Sequence, residues 1–381
     1  MKLAIYSPFL NHHQVALADE LYRLLGNEFV FIATKKRDTS QLKGGKDYSH
    51  RNYCICAAES SEAHQKAIQY AMNAEFAVIS GGELEYAVLR ARTGKLTFEM
   101  SERWLKRGII NILSPTILKS FLAYWRYFHL KPVYKLCCSA FAARDHYRLG
   151  MYRNRCFKWG YFTKVDTDYN LEAPEPSASS SEITPLMWCA RFLSWKHPEL
   201  PVKLANRLKD AGYAFVIDMY GSGEEFKNTK ALARNLDVCD VVRFHGALPN
   251  DEILEQMREH EIFLFTSDTN EGWGAVANEA MSNGCVLVGS DAIGSIPYLV
   301  RDGENGSIFR SMDIESLFEK VKFLLDNPQE RKRMSRNAYS DMRNIWSPAA
   351  AARNLLTLIS DIQTGKECSI QEGPGSKATP I

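Results

Sequence analysis

Two carboxylates, Glu271 and Glu279, stand with seven residues between them in the stretch "EGWGAVANE". Gly272 and Gly274 flank Trp273, and Ala275 and Val276 begin a small-residue run toward the second acid. A carboxylate accepts hydrogen bonds from paired hydroxyls, which sugars and riboses supply. Glycine removes side-chain bulk where a ligand must approach the backbone closely. A helix starting near Gly274 or Ala275 would present N–H groups without intrahelical partners and a dipole end that favours phosphate. An acid for a sugar, a helix start for phosphate and a second acid for a ribose together describe a nucleotide sugar. Cations suited to its diphosphate lie upstream, where "WCARFLSWK" places Arg191 and Lys196 at the end of a strand-like run. Gly221, in "IDMYGSGEE", follows another such run. The third glycine of a dinucleotide fingerprint is missing there, which argues against an NAD site.

These residues need a scaffold, and the apolar runs provide one. "KLAIYS", "EFVFIAT", "AEFAVISGG" and "YKLCCSA" read as strands in the first half, with helical patterns between them. A stretch rich in Pro, Ser and acids, residues 166–185, resists a packed core and reads as a linker. The alternation then restarts with "PLMWCARF", "AFVIDMYGSG", "VVRFHG", "EIFLFTS" and "CVLVGS", and a helix "NDEILEQMREH" expected to be capped by Asn250 or Asp251. Strands alternating with helices imply parallel βαβ sheets. The expected fold class is therefore α/β, two Rossmann-like doubly wound domains facing a central crevice. The expected boundaries are 1–165, linker 166–185, 186–346, a helix over 347–364 crossing back to the first domain, and a disordered tail over 365–381.

Bulk properties narrow the class. With 381 residues the chain is long for a single core. A formal net charge of +2 argues against wholesale nucleic-acid binding. Nine scattered cysteines without a C-x-x-C pair indicate neither a zinc site nor a disulfide framework, and fit a reducing cytoplasm. "MKLAIYSPFL" reads as a strand and a Pro loop rather than a signal peptide, and no apolar run is long enough to span a membrane.

The C-terminal half resembles the donor domain of GT-B-fold retaining glycosyltransferases, above all glycosyltransferase family 4 (group 1). Glu271 and Glu279 match that family's E-x7-E motif. "WCARFLSWK" is similar to its diphosphate-holding segment, which implies that role for Arg191 and Lys196. "IDMYGSGEE" resembles its GxGxx turn, "VRFHGALPNDEI" its segment beside the base, with His245 and Gly246, and "GSDAIGSIPYLVRDGENGSIF" a further family segment. The resemblance implies a hexosyltransferase that retains anomeric configuration, with Glu271, Arg191 and Lys196 as catalytic groups. Glu279, Gly272, Trp273, Gly274, Ala275, Val276, Gly221, His245 and Gly246 would bind the donor, a UDP-, GDP- or ADP-sugar. No metal and no cofactor are expected, the basic residues replacing Mg²⁺.

On the acceptor side the family pattern breaks. The first loop, "PFLNHHQ", lacks the family's Gly-Gly, and "SGGELEY" lacks its His. His12 and His13 are candidates by placement, against solvated or structural roles. Glu99 and Glu102 in "FEMSERW" could hold acceptor hydroxyls or cap a helix. Aromatics and cations interleave from Glu102 to Lys135 with Glu102 the sole acid of the segment, a pattern that suits an anionic membrane surface or an N-domain helix with solvated cations. The membrane reading implies a lipid-linked glycan acceptor and surface polysaccharide assembly (capsule or lipopolysaccharide) on the cytoplasmic face. The rivals are a nucleotide-sugar epimerase of the same fold and a non-catalytic glycan- or nucleotide-binding protein.

Overall fold

A computed structural model describes residues 2–36, 48–166 and 183–381. Contacts divide the chain into two compact units, one of residues 1–164 and 345–381, the other of residues 165–344. The expected linker falls largely on residues 167–182, outside the described residues; its last members, Thr184 and Pro185, already belong to a strand.

The first unit is built on strands β1 (Leu3–Ser7), β2 (Phe29–Ala33), β3 (Cys54–Cys56), β4 (Phe76–Ser80), β5 (Thr97–Ser101), β6 (Val133–Cys137) and β7 (Cys156–Lys158). They form one sheet in the order β3-β2-β1-β4-β5-β6-β7, and every pairing is parallel. β1 and β2 are buried at every position, the mark of strands covered on both faces. The helix Ser61–Asn73 begins under Ser60, whose side chain accepts the Ala63 N–H, and Leu84–Thr93 ends on left-handed Gly94. Arg90, fully buried, donates to the carbonyls of Ala71, Ala74, Glu75 and Leu96 and to the Thr97 hydroxyl. One guanidinium thus satisfies a helix end and two loop carbonyls that would otherwise be stranded without water.

The final helix, Pro348–Gln363, is capped by Ser347 and packs against the helix Val15–Leu25 of this unit. The segment after it corrects an expectation. Residues 365–381 are not disordered, because β7 is an edge strand whose backbone groups need partners. The tail supplies them: Lys158 N–H donates to the Ser376 carbonyl at 2.7 Å, Gly375 N–H to Lys158 at 2.8 Å and Ala378 N–H to Cys156 at 3.0 Å.

The second unit holds β8 (Thr184–Cys189), β9 (Phe215–Tyr220), β10 (Val242–Gly246), β11 (Ile262–Phe265), β12 (Val286–Ser290) and β13 (Gly306–Phe309) in the order β10-β9-β8-β11-β12-β13, again all parallel. The order reverses between β8 and β11, so the exits of these two neighbours form the switch point at which open α/β sheets bind ligands. One cap differs from expectation. The helix Asn250–Arg258 starts after Pro249, which has no side-chain acceptor to cap it, and the Asn250 amide N–H donates to Glu279.

Candidate functional site

At the carboxyl end of the second sheet, the loops leaving β8 and β11 are fastened together. Thr266, just past β11, donates its hydroxyl to the Lys196 carbonyl at 2.7 Å and accepts the Trp188 indole N–H at 2.9 Å. Asp268 N–H donates to the Trp195 carbonyl at 3.0 Å. His197, left-handed at φ 51°, sets its ring between Glu199 (2.9 Å) and Asp268 (3.2 Å). The Glu199 hydrogen bond, opposed by burial and joined by that of Asp268, raises the imidazole pKa.

This fastening brings two of the sequence-predicted residues into direct contact. The Lys196 ammonium forms a close ion pair with Glu271 and lies 4.3 Å from the Trp195 ring centroid. The same Glu271 oxygen accepts the Ser267 hydroxyl at 3.0 Å. Both partners are nearly out of water, with side-chain exposures of 12% and 10%. Arg191, earlier in the same loop, is exposed, and its guanidinium makes no hydrogen bond or ion pair among the described residues. The site therefore has one cation already neutralised and one free.

Glu279 occupies the first turn of the helix Val276–Ser282, so the run opened by Ala275 does start a helix, with Ala275 at its N-cap. Its carboxyl is buried and accepts the Asn250 amide at 3.2 Å. Burial raises its pKa to about 7, the Asn250 bond opposing. Cys189, the last residue of β8, lies within electrostatic reach of both Glu279 and Lys196: burial and then Glu279 push the thiol up, to about 12, while Lys196 pulls it down. Arg191, Lys196, Glu271 and Glu279 thus gather around the ends of β8 and β11.

Glycine is required at two of the predicted positions, Gly274 and Gly221, and at the neighbouring Gly223. Gly274 has φ 81°, and a Cβ there would collide with the Phe265 ring. Gly221 (φ 129°) and Gly223 (φ 153°) press the β9 exit onto the Ala190 and Phe192 carbonyls, where a Cβ has no room. Gly221 N–H also donates to Gly246 at 2.7 Å, tying the exits of β9 and β10 together. Trp273 does not offer its ring to a ligand: the indole is fully buried and donates to Asn278 at 2.9 Å, leaving only the backbone of this stretch. His245, partly exposed, stacks on Tyr220 with ring centroids 4.7 Å apart and pairs with Asp218, which also holds His260 at 3.1 Å. Against the cost of burial, the bonds from His260 and His245 hold Asp218 below the usual carboxylate range.

In the first unit, His12 and His13 follow β1 with ring centroids 3.7 Å apart, and burial lowers the His12 pKa. Glu99 lies on β5 and Glu102 just beyond it, and neither caps a helix. Glu102 pairs with Lys106 at 3.1 Å. Glu99 stands opposite Lys135 in the β5–β6 register, 3.5 Å from its ammonium, and accepts a short hydrogen bond from the Tyr152 hydroxyl.

Sequence reasoning missed Asp218, Lys135, Tyr152, Ser267 and Asn250. Two of them had a signal. Asp218 in "FVIDMY" and Lys135 in "VYKLC" are lone charges inside buried strands, where a charge needs a partner.

The comparisons bear on the family and the fold. Residues 179–341 match the family described as glycosyl transferases group 1. A D-inositol 3-phosphate glycosyltransferase of Corynebacterium efficiens is 33% identical over 145 residues, 38% of this chain and 32% of that protein. The matched stretch thus spans about a third of the first such relatives' length. Among solved structures, Anabaena HepE in complex with UDP is similar at a TM-score of 0.71 and 13% identity, covering 95% of this chain and all of that one. The apo lipopolysaccharide outer core galactosyltransferase WaaB is similar at a TM-score of 0.68 and 14% identity, over 95% and 100%. The fold is α/β of the GT-B class, two Rossmann-like domains. The second unit carries the domain of the group 1 glycosyl transferases.

Proposed function

We propose that this protein is a glycosyltransferase that moves a hexose from a nucleotide diphosphate, with retention of anomeric configuration, to a glycan or lipid-linked glycan. The observation that carries the reading is the Lys196–Glu271 pair beside the free Arg191 at the β8 and β11 exits. Lys196 and Glu271 neutralise each other as a close ion pair. Arrival of a donor lets the carboxylate accept sugar hydroxyls while Lys196 joins Arg191 on the diphosphate. Charge then builds on the departing diphosphate, and fixed cations in a poorly hydrated loop stabilise it there. The chain's own basic residues fill this role, with no divalent ion required. Glu279, beside Asn250, takes the ribose, and His245 on its Tyr220 platform lies toward the base. Uridine is the favoured base, since the similarly folded HepE has been solved with UDP and with UDP-glucose.

The acceptor reading draws on the surface of the first unit. Seven of the fourteen exposed large apolar residues among those described fall between Ile109 and Leu130, including Ile110, Leu113, Leu122 and Trp125. Arg107, Lys119, Arg126 and Lys131 are exposed along the same segment. Apolar side chains interleaved with cations suit the interface of an anionic bilayer. No described helix is long and apolar enough to cross a membrane. We therefore place the protein peripherally on the cytoplasmic face, acting in surface polysaccharide assembly.

The test is calorimetry against UDP-, GDP- and ADP-sugars in the presence of a chelator, followed by NMR of the sugar released on slow transfer to water. Expected are one donor class bound without metal, a retained anomeric centre, and loss of binding in Lys196→Ala and Glu271→Ala. Donor epimerised without transfer assigns the epimerase activity instead. Unchanged binding in both variants removes the site assignment.

A further inference from the structure

The first unit contains a cavity of about 230 Å³ at the exit of β4, bordered by Ser80, Gly82, Glu83, Glu99, Lys119 and Ser120. Its size is below the roughly 300–1,000 Å³ of sites for drug-sized ligands, so it suits a small one. Its floor is chemically specific. The Glu99 side chain is 6% exposed, and one of its oxygens, Oε2, takes both the Tyr152 hydroxyl and the Lys135 ammonium. Among the described residues no donor reaches the other oxygen, Oε1. Lys135 itself is fully buried, with the Trp104 and Tyr152 rings 5.2 and 5.5 Å from its ammonium.

On the wall, burial raises the Glu83 pKa, opposed by a hydrogen bond with Thr34 and the charge of Lys35. The Glu99 oxygen left without a donor is the acceptor the cavity offers to a ligand hydroxyl. Ser80 and Ser120 add hydroxyls that both donate and accept. Gly81 is pressed so close to Ser101 that a Cβ would stand 2.9 Å from the Ser101 Cβ, while a Cβ on Gly82 would meet nothing within 4 Å. The exit of β4 therefore presents bare backbone to the cavity.

We infer that this cavity is a binding subsite for one sugar ring or an equivalent cyclic polyol, with Glu99 as its hydroxyl acceptor. Lys135 and Tyr152 are positioning residues. They engage one oxygen of Glu99 and fix its orientation, leaving the second oxygen for the ligand. The assignment rests on the transferase reading for its purpose, the recognition of an acceptor unit, but the binding itself is separable from it.

The experiment is saturation-transfer NMR of the full-length protein with glucose, galactose, N-acetylglucosamine and glycerol as probes, with calorimetric UDP binding measured on the same samples. Glu99→Gln strands the buried Lys135 charge and threatens the fold, so the decisive variant is Gly82→Leu, which fills the cavity and leaves the ion pair intact. Expected is transfer to at least one ring-form sugar, reduced at least fivefold in Gly82→Leu and kept in Glu271→Gln, with UDP binding unchanged in Gly82→Leu. No transfer to any ring-form probe, or equal transfer in wild type and Gly82→Leu, overturns the subsite. Transfer lost in Glu271→Gln but kept in Gly82→Leu also overturns it, because the sugar then sits in the second unit. Absence of UDP binding in the wild type counts against the donor reading alone.

Discussion

Replacing Glu279 by Gln tests how dry this buried acid is. Its carboxyl is 7% exposed, and burial raises its pKa from 4.5 to about 7. One pKa unit corresponds to about 1.4 kcal/mol, so ionised Glu279 costs the folded state up to about 3 kcal/mol. The sign follows from proton counting. Below pH 4.5 the acid is neutral in both states and contributes no difference. Between 4.5 and 7 the unfolded chain has lost the proton that the folded chain keeps, so stability falls as pH rises. Above 7 both states are ionised and the full cost persists. Glutamine preserves the size and still accepts the Asn250 amide, but it has no proton to lose. At about 2–4 °C per kcal/mol for a unit of 150–250 residues, Glu279→Gln melts several degrees above wild type at pH 8 and level with it near pH 4.5. Differential scanning calorimetry of both proteins from pH 4.5 to 8, following the transition of the second unit, reads this directly. Parallel profiles across that range would show that the carboxylate is solvated, and the reasoning would fail.

Other consequences are checked more briefly. Lys196→Met leaves Glu271 buried without its cation and lowers stability by about 3 kcal/mol in urea titrations, whereas Lys196→Met with Glu271→Gln recovers most of that and still binds UDP at least tenfold more weakly. Gly274→Ala combines a φ of 81° with a clash at Phe265, so a loss of about 2–4 kcal/mol is expected by the same titration, and a loss below 0.5 kcal/mol would contradict the geometry. Removing residues 369–381 exposes the β7 edge and lowers the thermal midpoint of the first unit, with a higher tendency to aggregate in light scattering. Leu122→Ser with Trp125→Ser reduces sedimentation with anionic vesicles while leaving UDP affinity unchanged, and equal sedimentation would remove the membrane reading.

The sheet architecture was legible because parallel strands buried on both faces must be written as short apolar runs. "LAIYS", "FVFIA" and "FAVIS" are such runs, and each became a strand at the expected place. The tail was not legible for the opposite reason. Its glycines, prolines and polar residues bury little surface of their own, and its order comes from backbone bonds to β7, a partner distant in sequence. The cap of the helix Asn250–Arg258 was also missed. Local rules assign Asn250 to the cap, but the helix begins one residue earlier than that reading, with Pro249 at the cap position and Asn250 in the first turn.

The site divides along the same line. Motif spacing located Glu271, Lys196 and Arg191, since each follows a strand and strand exits of a doubly wound sheet converge. It could not show that Lys196 and Glu271 already hold each other, because that pairing depends on Thr266 and Asp268 drawing two loops together across the sheet switch point. The same limit hid the Glu99–Lys135 pair, although its two halves were visible as opposite charges in the middles of two strands. Burying one charge in a parallel sheet is costly, and burying a second, opposite charge in register beside it relieves most of that cost. Such a pair stabilises the fold no better than two apolar residues of the same volume would, so its presence at a cavity wall needs a reason besides folding. A carboxyl group held in one orientation at the cavity floor is that reason, because its second oxygen is left to accept from a ligand hydroxyl.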